Sequence, residues 1–212
     1  MKKSKQILYI SLSLFMAAFL SSSLSAQNIE LNGFTGWHFG GKITFYEGEF
    51  KINDAQNYGG KLAYGLSETT FVEASYLRAD SEGQWRPYSS LSPYETIEMS
   101  SNYIHIAGLQ QLNYGKLSPY ATVGLGVAWF APKNTSEYRT STQFSATFGA
   151  GVKIFITEMI GIRLQGSMLM PMIFQGVGFG FGTGGVSAGA YSRITPFQGE
   201  FSGGLIIRIP TN

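Results

Sequence analysis

Seven charged side chains fall on the polar side of segments whose other side is apolar: Glu30, Lys61, Glu73, Lys153, Arg163, Glu200 and Arg208. Three carboxylates facing four cations in a narrow interior can neutralise one another as hydrogen-bonded salt bridges, which buried charges require. In a wider interior the same set would line a polar path for an ion or small solute. Two histidines, His38 and His105, complete the chemistry-bearing set, and there is no cysteine. A serine activated by a histidine and an acid could modify a lipid, but nucleophile, base and orienter must lie within hydrogen-bond reach. No spacing in this chain brings them there, so no catalytic residue is expected. Two distant histidines without thiolates give no metal-ligand pattern, and no cofactor is implied.

The segments that carry these residues repeat with a period of two, the signature of strands with unlike faces. Ala121, Val123, Leu125, Val127 and Trp129 interleave with Thr122, Gly124, Gly126 and Ala128. Phe144, Ala146, Phe148, Ala150, Val152, Ile154 and Ile156 interleave with Gln143, Ser145, Thr147, Gly149, Gly151 and Lys153. Ile160, Ile162, Leu164, Met168 and Met170 interleave with Gly161, Arg163, Gln165 and Ser167. Such long greasy faces opposite small, polar or charged ones mark a transmembrane β-barrel, lipid outside and polar lumen inside. Glycines 124, 126, 149, 151 and 204 would leave room in the lumen for the long basic arms.

Eight strands are predicted: Ile29–Phe45, Asn57–Leu66, Thr69–Arg78, Glu95–Leu112, Leu117–Ala131, Thr142–Ile156, Gly161–Phe174 and Phe197–Ile209. Tight turns at Leu66–Thr69, Asn113–Lys116 and Thr157–Ile160 alternate with longer loops at 46–56, 79–94, 132–140 and 175–196. Short turns belong to the periplasm and long loops to the exterior. The fold expected is therefore an all-β, eight-stranded, antiparallel, up-and-down barrel, closed because an open edge would leave unpaired backbone groups in hydrocarbon. The fourth strand is ambiguous. Tyr103, Ala107 and Leu109 share one face and Ile104 and Ile106 the other, so a bulge could shift its register. A soluble lipocalin-like barrel is the competing fold; it would turn the greasy face inward and put Lys153 and Arg163 outside.

Lys2, Lys3 and Lys5, the apolar run Ile7–Leu20 and the small residues up to Ala26 read as a cleaved signal peptide, residues 1–26. The cut falls after Ala26 or after Ser25, leaving residues 27–212 as the barrel domain. Without those three lysines, 12 basic residues face 13 acidic ones, a net charge of −1. No basic tract suits nucleic acid. Trp37, Phe39, Trp129 and Phe144 near the loop ends, with Tyr64 and Tyr120 near the turns, suit aromatic girdles at the two membrane interfaces. The run Gly176–Gly185 has no lysine or helix to make it a phosphate loop. It either prolongs two strands or forms an exterior loop, where Phe179 and Phe181 could touch a partner.

The stretches Ile29-Glu-Leu-Asn-Gly-Phe-Thr-Gly-Trp37, Tyr103-Ile-His-Ile106, Pro119-Tyr-Ala-Thr-Val-Gly-Leu-Gly126 and Gly203-Gly-Leu-Ile-Ile-Arg-Ile209 carry a family likeness. Through them the chain resembles the small outer-membrane β-barrel domain family of Bacteroidota, built like OmpA/OmpX-type barrels. It departs from that pattern in ending Pro210-Thr-Asn rather than on an aromatic, and in having Ala107 where a proline is common. The resemblance implies residence in the cell outer membrane of a Gram-negative bacterium, insertion by the barrel-assembly machinery, and no shared catalytic residues. The expectation is a monomer in contact with outer-membrane lipid, not an enzyme, with a plugged polar lumen and a surface partner met through loops 79–94 and 175–196. A narrow channel is the alternative, and a lipid-modifying enzyme the second.

Overall fold

The structure, a computed structural model, describes residues 28–44, 48–88, 95–113, 115–133, 140–182, 185–194 and 197–210. The signal segment expected over residues 1–26 lies outside the described residues. The strands are β1 (Asn28–Phe39), β2 (Lys42–Thr44), β3 (Gly48–Ile52), β4 (Ala55–Gly65), β5 (Thr70–Pro87) and β6 (Glu95–Gln111). They continue with β7 (Leu117–Pro132), β8 (Ser141–Phe155), β9 (Ile160–Gly182), β10 (Gly185–Ile194) and β11 (Gln198–Pro210). Eight of them pair antiparallel in the ring β1-β4-β5-β6-β7-β8-β9-β11, and β11 returns to β1. The fold is thus a closed eight-stranded barrel, with no unpaired edge within the ring.

The faces follow the two-residue repeat. Leu62, Ile106, Val123, Leu125, Phe148 and Leu205 stand exposed on the outer wall, Leu125 by 56% and Leu205 by 64%. Glu30, Glu73, Lys153 and Arg163 point inward and are nearly or fully buried. That orientation is the reverse of a soluble lipocalin and removes the competing fold.

Two of the tight turns share one construction. Leu66 and Ser67 donate their backbone N–H groups to the Thr70 carbonyl, and Ser67 Oγ accepts from Thr70 N at 3.1 Å. Ile156 and Thr157 donate likewise to Ile160, and Thr157 Oγ1 accepts from Ile160 N at 2.9 Å. A hydroxyl that mimics a backbone acceptor suits a turn better than a strand. The Asn113–Lys116 turn instead uses Gly115 at φ 64°, a conformation open to glycine.

Several expectations need correction. The first strand stops at Phe39 rather than Phe45. At Gly40 the chain runs against the Ile52 carbonyl too closely for any Cβ, and Ile52 N bonds back to Gly41 O at 2.8 Å. The segment expected as loop 46–56 accordingly contains β3, which pairs with β2 and with the far end of β5. Segment 79–94 is strand as far as Pro87, paired with β6 up to Trp85↔Glu95. Segment 175–196, expected as a loop or, over Gly176–Gly185, as a prolongation of two strands, follows the second reading: β9 continues to Gly182 and β10 pairs back along it. Away from hydrocarbon a strand needs no apolar face, so glycine, serine and charge do not forbid one. The side chains of Phe179 and Phe181 lie outside the described set. Finally, β6 carries no bulge: its register runs unbroken against both β5 and β7.

Candidate functional site in the barrel lumen

The lumen is filled in tiers. A vestibule of about 590 Å³ opens at the turn end, lined by Asn28, Glu68, Gln111, Lys116, Phe155 and Arg208. Its floor is an ion cluster. Lys153 Nζ, fully buried, donates to Glu30 Oε2 at 2.6 Å and to Gln111 Oε1 at 2.9 Å. Arg208 donates to the other Glu30 oxygen at 2.8 and 3.1 Å, its guanidinium 3.9 Å from the Phe155 ring centre. One carboxylate therefore holds two cations. Lys153 also stands 4.3 Å over the Phe71 ring, a cation–π contact that a dry site strengthens.

The next tier spans the barrel. Arg163 on β9 meets both oxygens of Glu73 on β5, four strands away around the ring and so diametrically opposite. Its Nε donates to Tyr120 Oη at 2.7 Å and its Nη2 to Gln165 Oε1 at 2.7 Å. Tyr120 donates onward to Gln165 Oε1 at 2.9 Å, and Lys61 donates to that oxygen at 2.7 Å. Lys153 and Arg163 are opposite one another in the β8–β9 ladder, and reach to different acids across the lumen. Bidentate arginine–carboxylate geometry of this kind is among the stronger charge-assisted contacts.

Towards the far end the lumen turns apolar. Phe34, Ile52, Leu77, Met99, Tyr103, Ala128, Phe130 and Leu169 form one buried cluster. Tyr103 Oη donates to Gln198 Oε1, again between strands four places apart in the ring. His38 Nε2 lies 3.0 Å from the same oxygen, and the Tyr103 ring is flanked by His38 at 6.0 Å and His105 at 5.9 Å. His105 Nε2 lies 3.0 Å from Ser145 Oγ. Both residues of that pair are buried inside, away from the lipid-facing wall.

Of the seven expected lumen charges, all are inward or at the vestibule. Five join in direct ion pairs: Glu30 with Lys153 and Arg208, and Glu73 with Arg163. Lys61 bonds a neutral amide, and Glu200 makes no ion pair among the described residues. Among the expected girdle aromatics, Trp37, Phe39 and Tyr64 are exposed on the outer wall, and Trp129 stacks on Tyr76 at 6.2 Å. Phe144 is half-buried. Tyr120 is a correction. It shares parity with Thr122 and Gly124, so it points inward and belongs to the ion tier rather than to a girdle. Gly151 makes this possible: a Cβ there would lie 2.7 Å from the Tyr120 ring. Sequence reasoning also missed Gln111, Gln165 and Gln198 as network members, and the apolar tier. Their inward parity was the available signal.

The family comparison agrees with this architecture. Residues 14–167 match the family described as outer membrane protein beta-barrel domain. No curated protein sequence matches the chain. Among solved structures, OprG from Pseudomonas aeruginosa is similar with a TM-score of 0.60 at 10% identity, over 88% of this chain and 97% of that one. The N-terminal barrel domain of Pseudomonas aeruginosa OprF gives 0.53 at 15% identity, over 87% and 100%. Neisserial surface protein A gives 0.51 at 11% identity, over 85% and 96%. At such identities the likeness is one of fold. With the greasy outer wall and closed ring, the match places the chain in the cell outer membrane, as a member of the outer membrane protein beta-barrel domain family.

Proposed function

We propose that this barrel is a closed, non-enzymatic envelope protein that works through its exterior. The observation that carries the reading is the pair of full-width spans, Arg163–Glu73 and Tyr103–Gln198, which cross the lumen at two depths. An eight-stranded barrel is barely wide enough for its own side chains, and these leave an aromatic and ionic plug where a conduit would run. The His105–Ser145 pair faces that plug and not the lipid, which supports a structural role for it. About ten residues of a tilted strand cross the bilayer. The 23 residues of β9 and the 18 of β5 therefore reach well beyond it on the exterior side, and make the surface on which a partner would dock. A ring without edges within the bilayer favours a monomer, in contact with outer-membrane lipid through the exposed wall and inserted by the barrel-assembly machinery. Single-channel recording on the purified barrel in planar bilayers tests the reading. The expected result is a silent membrane; steady unitary conductance steps would overturn it.

A further inference from the structure

The ionic count of the lumen does not close on direct pairs. Glu30 takes Lys153 and Arg208, and Glu73 takes Arg163, leaving Lys61 and Glu200. The Lys61 ammonium donates to Gln165 and lies 4.8 Å over the Phe34 ring. Glu200 is 5% exposed and its Oε1 is buried without a partner. Both side chains line one cavity of about 30 Å³. Thr122 lines it too, and its Oγ1 is likewise buried and unpartnered.

More unpartnered atoms continue from Glu200 along the same wall. Gln198 Nε2, His38 Nδ1 and both amide atoms of Asn57 are buried without a hydrogen bond, and these three residues are fully buried. His38 is opposite Glu200 across β1–β11, and Asn57 is opposite Gly36, the next inward position of β1. A Cβ at Gly36 would stand 2.9 Å from Asn57 Oδ1, so the Asn57 amide leans over bare backbone.

Buried polar groups in folded proteins find partners, and an unpaired carboxylate is the costliest exception. This set mixes donors (Lys61, Asn57 Nδ2, Gln198 Nε2) with acceptors (Glu200 Oε1, Asn57 Oδ1). A metal cation would satisfy only the acceptors and would face the Lys61 ammonium. An anion would face Glu200 and Glu73. Water serves both kinds, and a polar cavity of about 30 Å³ exceeds the ~10–15 Å³ that one water needs. We propose that the mid-lumen is an internal water site, in which water bridges Lys61 to Glu200 and continues to Asn57, Gln198 and His38. The ion tiers seal it on the turn side, and on the other side it ends within the apolar tier, where Tyr103 caps Gln198, so it is a station and not a conduit.

The test uses the full barrel refolded in detergent micelles with labelled asparagine and glutamine. Rotating-frame Overhauser contacts from the Asn57 and Gln198 side-chain amides to water are expected, unchanged when sodium chloride is removed. Their absence would overturn the proposal, and so would contacts that depend on the salt, which would make the occupant an ion. A double-mutant cycle gives a second readout. Glu200→Gln should shift the refolding equilibrium at least about threefold less in a Lys61→Met background than alone; additive effects would refute the bridge. Neither readout depends on conductance, so failure here is distinguishable from failure of the closed-lumen reading.

Discussion

Replacing Glu73 by glutamine should be a strongly damaging near-isosteric change in this protein. Glu73 is 2% exposed and so is its partner Arg163, and the two share a bidentate contact across the full lumen. Glutamine keeps the volume and one acceptor but removes the charge. The Arg163 bonds to Tyr120 and Gln165 remain, yet both partners are neutral and cannot balance a guanidinium. The middle of the lumen would then hold Arg163 and Lys61 against Glu200 alone. Breaking a buried pair from one side costs about 3–5 kcal/mol, or roughly two hundred-fold to several thousand-fold in the folding constant. Removing both charges should be far milder. Glu73→Leu combined with Arg163→Met replaces an ion pair by apolar bulk, which is often neutral or better. Equilibrium urea titration of refolding into lipid vesicles, followed by gel heat-modifiability, measures both. A Glu73→Gln loss under ~1 kcal/mol would be the value of a solvated surface pair. It would mean that bulk solvent screens Arg163 and that the tier is open to it.

The outer wall and the glycines can be tested in the same assay. Leu125→Arg, on a side chain 56% exposed to lipid, should cost about 2–4 kcal/mol if it stands at mid-bilayer; a loss near zero would put Leu125 at the water interface. Gly151→Ala should cost about 1–3 kcal/mol through collision with the Tyr120 ring and the Leu164 carbonyl. Gly60→Ala, whose nearest atom would be 3.7 Å away, should cost less, and equal losses would contradict the packing described around Tyr120. At the exterior rim, partial burial pushes the Asp80 carboxyl up, but hydrogen bonds from Lys133 and Arg78 outweigh this and hold it below the usual carboxylate range. A depressed carboxylate stabilises the fold above its unfolded value of ~3.9 and loses that contribution as pH falls through the folded value. Carbon NMR should therefore show Asp80 titrating below ~3.9 in the native protein, and Lys133→Met should move the midpoint up; an ordinary midpoint in the native barrel would remove the contact. The chain has no cysteine. Single cysteines at 103–109 should accordingly alternate, with lipid-borne reagents reaching 104, 106 and 108 but not 103, 105, 107 and 109. A break in phase would restore the bulge that the structure lacks.

Strand number, antiparallel order and the lipid-facing side were legible because the backbone enforces a period of two and the bilayer reads it. Pairing within the lumen was not. Lys153 neighbours Arg163 on the ladder and yet reaches Glu30, three strands around the ring. That choice depends on the stagger of the closed barrel, which no local spacing encodes. Tyr120 shows the opposite failure. Its parity gave its direction correctly, but its aromatic character suggested an interface, and the empty side of Gly151 that admits it lies on another strand. The exterior length of β5 was hidden because hydrophobic alternation ends where the lipid ends, while hydrogen-bonded pairing does not; that of β9 was one of the two readings of the Gly176–Gly185 run.

The ambiguity of the fourth strand has the same root as the apolar tier. Tyr103, Ala107 and Leu109 face the lumen, while Ile104 and Ile106 face lipid. Both faces are apolar because each packs against hydrocarbon, lipid on one side and buried side chains on the other. The lumen packs as a protein core both at the ion tiers, where Leu109 clusters with Phe71 and Tyr120, and beyond them, where Tyr103 joins Phe34 and Phe130, and cores favour the same residues that lipid does. Hydrophobicity can therefore separate wall from lumen only at positions whose inward side chain is polar or charged. Where the two faces of a strand cannot be told apart by residue type, the lumen behind them is filled, and in this barrel that depth is where Tyr103 reaches across to Gln198.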